Sequence, residues 1–140
     1  MVKISKILSD KSRGIKITKP EDYIFLSRQG LSVKQLKAIQ KITAINTKQL
    51  SKILSVSERQ LNRYSNDKIL KPSISAHIIQ IIELYYFGFE VFENKDKFLL
   101  WMDSNIQILG SQKPFDLLDT PFGIDHVKTI LGRIEYGVYS

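Results

Sequence analysis

The sequence of 140 residues holds two imidazoles, His77 and His126, and no thiol. Asp125 precedes His126, and Asp116 and Asp119 lie a few positions upstream, a grouping that invites an acid–base or metal-binding reading. The spacing argues against it. Adjacent residues on a helix point in different directions, whereas chelation or proton relay needs neighbours three or four apart, as in His-Glu-x-x-His. No glycine-rich phosphate cradle is present either. Helix capping and surface charge account for these carboxylates, so neither catalysis, a metal nor a cofactor is expected.

A different chemistry is written in Thr47–Ser65, TKQLSKILSVSERQLNRYS. Leu50, Ile53 and Leu54 recur at helical spacing, and Leu61 anchors a second short segment. Thr47 and Ser57 stand where helix N-caps are expected, and Ser55-Val56 marks a tight corner. Small residues at Ser51 and Ser55 would let two helices cross closely. The second helix would then offer Ser57, Glu58, Arg59, Gln60, Asn62 and Arg63 to the outside. Arginine suits guanine or phosphate, glutamine and asparagine suit adenine, and glutamate accepts from cytosine. This spacing resembles the helix-turn-helix of Xre-type repressors, with Ser55 in place of the usual glycine at the turn.

Charge supports two partners. Residues 1–71 hold 16 Lys/Arg against 5 Asp/Glu, and residues 72–140 hold 5 against 9, so a front of +11 is followed by a back of −4. A basic front fits a polyanion, and an acidic back fits a cationic protein surface. Hydrophobic content of 43% is that of an ordinary globular protein. No apolar run follows the basic N-terminus as in a signal peptide, and Ile78–Phe92 is too short to span a bilayer. With no cysteine to form disulfides, a cytoplasmic protein without a membrane role is expected.

The elements follow in order. Residues 1–19 read as a flexible basic arm. Pro20-Glu21-Asp22 opens a helix ending at Gly30, and Ser32 caps a second with Val33, Leu36, Ile39 and Ile42 inward. Residues 20–71 thus form the DNA-binding unit. Residues 72–93 read as one long helix, apolar on most faces, that links the halves and makes a homodimer contact. Residues 94–140 form a smaller helical domain. There Asn94 or Asp96 starts a helix carrying Trp101, Pro114 opens a turn, and Thr120-Pro121 starts the last helix. Its stripe is Ile124, Val127, Ile130, Leu131 and Ile134. Gly132 interrupts the stripe, which suggests a close neighbour.

The closing string Leu131-Gly132-Arg133-Ile134-Glu135-Tyr136-Gly137-Val138-Tyr139-Ser140 closely resembles the ending of Xre/MbcA/ParS-type antitoxins, which pair with RES-domain toxins. Trp101, Asn105, Leu109-Gly110, Pro114, Leu117-Leu118, Thr120, Gly123 and Val127 fit the same pattern. The likeness runs from about Gly30 to Ser140 and is most specific over the last forty residues. Tyr64 and His77 stand where many such proteins carry arginine.

The resemblance implies an all-α protein: an Xre/Cro-like helix-turn-helix that binds operator DNA, followed by a small domain that binds and neutralises an NAD-consuming RES toxin. The alternative is a stand-alone repressor whose C-terminal half only dimerises. Arg133, Glu135, Tyr136 and Tyr139 cannot all face inward with Ile130 and Ile134. Residues 133–140, with Gly137 and the Ser140 carboxylate, are therefore expected to block the toxin's substrate pocket. Trp101 and the Pro114–Thr120 turn would hold that tail in place.

Overall fold

The computed structural model describes residues 2–137, and among them the fold is all-α, with eight α-helices and no strand. Contacts divide the chain into two units, Met1–Ile82 and Glu83–Ser140. The boundary falls inside the longest helix rather than at either of its ends.

The first unit begins with α1 (Ile4–Leu8) and a single 3-10 turn, Lys11–Arg13. Here the expected flexible arm is corrected. Leu8 is fully buried, and Ile15 and Ile17 are buried with it. Three apolar residues inside a basic stretch anchor the segment despite its six cationic side chains. A polar clamp completes the attachment. The Gln35 amide nitrogen donates to the carbonyls of Ile7, Leu8 and Ser9 at 3.1–3.3 Å. Arg13 donates to the Gly30 carbonyl at 2.8 Å and pairs with Asp10 at 2.7 Å.

Next come α2 (Asp22–Gln29), α3 (Val33–Thr43), α4 (Thr47–Leu54) and α5 (Glu58–Arg63). Ser32 and Gln35 cap α3 reciprocally, so Gln35 serves both the cap and the clamp. The α4 cap is Asn46 rather than the expected Thr47: Asn46 and Gln49 form the capping box, and Thr47 is the first helical residue. Asparagine is the stronger N-cap of the two, and its side-chain oxygen accepts from the Gln49 N–H at 2.8 Å.

Helix α6 (Pro72–Phe92) crosses from the first unit into the second. In its first half Ser75 is completely buried, accepting from the Leu31 N–H at 2.9 Å and donating to the Leu70 carbonyl at 3.1 Å. Ile78, Ile79, Ile81, Ile82, Leu84, Tyr85 and Phe89 are all buried within the single chain. Ile74, Tyr86, Phe87, Val91 and Phe92 of the same helix are half-buried.

The second unit adds α7 (Lys95–Met102), two 3-10 turns (Gln107–Leu109 and Pro114–Leu117) and α8 (Pro121–Glu135). Aromatic rings fill its centre. Phe98 meets Tyr85 edge-on at 5.4 Å and Phe89 at 5.5 Å, and Trp101 extends the cluster through Phe92 at 5.7 Å. Edge-to-face geometry places ring hydrogens on neighbouring π faces. Burial pushes the Tyr85 hydroxyl well above the usual phenol range, so it stays neutral.

Candidate functional site

Two surfaces carry the sequence-assigned residues, one in each unit.

On the first unit, α4 and α5 are joined by Ser55-Val56-Ser57. Ser55 closes α4 in the left-handed region at φ 55°, a conformation that usually calls for glycine. Ser57 then caps α5, its hydroxyl oxygen accepting from the Gln60 N–H at 3.1 Å. Because only Leu61 turns inward, and is half-buried, the rest of the short helix faces water. Ser57, Glu58, Arg59, Gln60, Asn62 and Arg63 are all exposed, whereas Thr47 is partly covered at the start of α4. The side chains proposed from the sequence on α5 are thus all accessible, on the several sides of the helix that Leu61 leaves open. Residues 1–82 hold sixteen Lys/Arg against five acids.

On the second unit, α8 sorts its residues sharply. Thr120 caps it, accepting from the Gly123 N–H at 3.1 Å, and Pro121 occupies the first turn without losing a hydrogen bond. Gly123 is required there, since a β-carbon would overlap the Leu117 carbonyl of the preceding turn. Ile124, Val127, Ile130 and Leu131 are buried, as the stripe demanded. Gly132 has no such reason: a β-carbon there meets only open space, so the expected close neighbour is absent.

Opposite the stripe, Phe122, Asp125, His126, Thr129, Arg133 and Tyr136 recur at spacings of three and four and are all exposed. Phe122 is 85% exposed and Tyr136 83%, one ring at each end of a polar face. Arg133 and Tyr136 from the sequence assignment share this face, and Glu135 stands exposed on its flank. Gly137 follows the helix at φ 77°. Tyr139 and Ser140 lie outside the described residues, and with them the end of the expected plug. Trp101 is half-buried in the ring cluster rather than free.

Two exposed apolar side chains carry no assignment from the sequence: Leu100, 71% exposed on the outer side of α7, and Phe122. Their phase held the signal: Leu100 lies across the helix from the buried Phe98 and Met102, and Phe122 lies across from the α8 stripe. Asp125 and His126 are exposed and form no chelating set. Among the described residues no group of three His, Cys, Asp or Glu could hold a metal ion, and no helix is long and apolar enough to cross a membrane.

Comparison with known proteins falls on the same region. Residues 88–137 match the antitoxin Xre/MbcA/ParS C-terminal toxin-binding domain. An Antitoxin Xre of Yersinia enterocolitica is 28% identical over 115 residues, covering 81% of this chain and 78% of that protein. An Antitoxin Xre of Photorhabdus laumondii is 28% identical over 114 residues, covering 80% and 77%. In fold, the chain is similar to one from the crystal structure of the M. tuberculosis MbcT–MbcA toxin–antitoxin complex. That match has a TM-score of 0.58 and 17% identity and covers 77% of this chain and 96% of the other. The domain match begins within α6 and the relatives span most of the length, so residues 88–137 are similar to the C-terminal toxin-binding domain of Xre/MbcA/ParS antitoxins.

Proposed function

We infer that this protein is the antitoxin of a toxin–antitoxin pair: its second unit binds and neutralises a RES-type, NAD-consuming toxin, and its first unit represses the operon by binding DNA. The observation that carries the toxin-binding reading is the outer face of α8. A solvent-facing helix side that ends in two exposed rings, with an exposed Leu100 on α7 of the same unit, is apolar area without a function inside the monomer. Such aromatic anchors contribute most of the affinity where they enter pockets on a partner. The acidic balance of the unit favours a cationic toxin surface. The family acts by binding, not by catalysis.

Neutralisation then follows from occupancy. Tyr136 and Glu135 bring an aromatic ring and an anion together at the end of α8, the two features that an NAD pocket must accept. Residues 133–140 compete with the dinucleotide, while Phe122 and Leu100 hold the complex together. DNA binding rests on the exposed α5 ridge in a strongly basic unit, with Arg59 and Arg63 on phosphate or guanine and Gln60 and Asn62 on adenine. Pairing of two copies would present two such ridges to a palindromic site. Its surface is the first unit's exposed Ile24 and Phe25 on α2 rather than α6.

Co-expression with the adjacent reading frame, followed by pull-down and an NAD assay, tests the central claim. A stable complex that retains NAD is expected. Continued NAD loss in the presence of a bound, folded chain would overturn neutralisation. A chain that binds DNA but never a RES-like neighbour would leave the stand-alone repressor.

A further inference from the structure

The clamp that holds the N-terminal segment creates a feature for which the recognition ridge has no use. Between that segment, α3 and the loop after α5 lies an open concavity of about 680 Å³. Lys6 and Lys11 line it from the N-terminal side and Lys34 from α3. All three are exposed, and none forms an ion pair among the described residues. Two carboxylates also face it, and both are already engaged. Asp10 is bound by Arg13 at 2.7 Å and by the Ser12 hydroxyl at 2.6 Å, and Asp67 accepts from the Ser65 hydroxyl at 2.7 Å. Counting Arg13, the lining carries four cations against two acids.

The position of this concavity gives it a direction. Lys34 donates its backbone N–H to the Asn66 carbonyl at 3.0 Å, and Lys37 donates its ammonium to the Asn66 side chain at 2.7 Å. Asn66 sits three residues beyond the end of α5, so one side of the rim is formed by the chain just after the helix that carries Arg59 and Arg63. On its far side Lys6 and Lys11 also border a second open hollow, which adds Lys16. Lys6 and Lys11 therefore border both hollows, with Lys34 beside them in one and Lys16 in the other. The N-terminus of α3 contributes nothing to this lining, because its first N–H groups already bond to Lys68, Asn66 and Ser32.

We propose that Lys6, Lys11 and Lys34 form a second contact with the sugar–phosphate backbone of duplex DNA, flanking the segment that α5 reads. The reading rests on DNA binding by the first unit. It assigns the N-terminal segment a sequence-independent electrostatic role, made effective because Gln35 and Arg13 hold the backbone that carries Lys6 and Lys11. Unlike a loose basic arm, this backbone is ordered before binding and only side-chain freedom is lost on contact.

The test is a salt titration with the full-length chain and two duplexes, one covering the region upstream of its own coding sequence and one of unrelated sequence. Replacing Lys6, Lys11 and Lys34 together with glutamine should lower the slope of log K against log salt by roughly two to three, on both duplexes alike. Preference for the upstream duplex should not change. The triple Lys→Arg variant should restore the slope, and Lys95→Gln with Lys97→Gln in the second unit should leave it unmoved. An unchanged slope in a folded triple Lys→Gln variant, with the native chain binding normally, would overturn the second contact alone. Absence of any salt-dependent binding by the native chain would overturn the DNA reading itself.

Discussion

Phe98 lies so close to Gly88 that a β-carbon at position 88 would sit inside the ring. This contact joins α6 to α7 within the second unit and lets Phe98 reach Tyr85 and Phe89 as well. Gly88→Ala should therefore destabilise the unit by about 1–3 kcal/mol, because neither the ring nor the helix backbone can yield freely. Denaturant unfolding checks this. A midpoint equal to that of the native chain would mean that the cluster is looser than its geometry implies.

Gln35 makes three donations to the N-terminal segment and one reciprocal cap. Gln35→Ala leaves the buried Leu8 carbonyl, the partly buried carbonyls of Ile7 and Ser9, and the Ser32 N–H without this partner, at a cost of about 2–4 kcal/mol. Protease cleavage near residues 5–15 should accelerate first, ahead of global unfolding. Cleavage rates equal to the native chain's would show that the apolar anchors alone hold the segment.

Asp10 supplies a pH dependence with a definite sign. Its hydrogen bond from Ser12, aided by Arg13, holds the carboxyl below its ordinary value near 3.8. The folded state thus favours the ionised form, and this contribution is present above that value and disappears as pH falls through the lowered one. Asp10→Asn should melt below the native chain at pH 7, with the gap narrowing as pH falls below 3.8. A constant gap across that range would remove the electrostatic explanation.

Phe122→Ala and Leu100→Ala remove exposed side chains, so stability should change by less than about 0.5 kcal/mol. Affinity for the toxin should fall roughly tenfold or more if these are anchors. Calorimetric titration of the partner distinguishes the outcomes. Undiminished affinity in both variants would place the toxin surface elsewhere.

Arg59→Ala combined with Arg63→Ala should weaken binding to the upstream DNA roughly tenfold or more, while NAD protection in the toxin assay persists. Loss of both properties together would mean that the two surfaces are not separable as described.

The helices and their stripes were legible in the sequence because burial repeats with the helical period, and Ile124, Val127, Ile130 and Leu131 satisfied it. The exposed ridge of α5 followed from the same rule, with Leu61 as its sole inward anchor. Charge density misled at the N-terminus: six cations concealed the burial of Leu8, Ile15 and Ile17, and no local pattern announces that Gln35 will bind residues some 26–28 positions earlier. For α6 the apolar run was legible, but which of its residues are buried was not, because the small helices near it carry weak individual signals. Leu100 and Phe122 were visible only as residues out of phase with their stripes, a signal that must be looked for on the outer side.

Helix α5 is six residues long and contains no buried side chain. Its amides can therefore open to solvent without disturbing the core of the first unit. Their hydrogen–deuterium exchange should be fast beside those of α3, which has five buried residues and a reciprocal cap. A segment of this kind is ordered largely by what it touches, so association through it should carry an unfavourable entropy and a correspondingly favourable enthalpy.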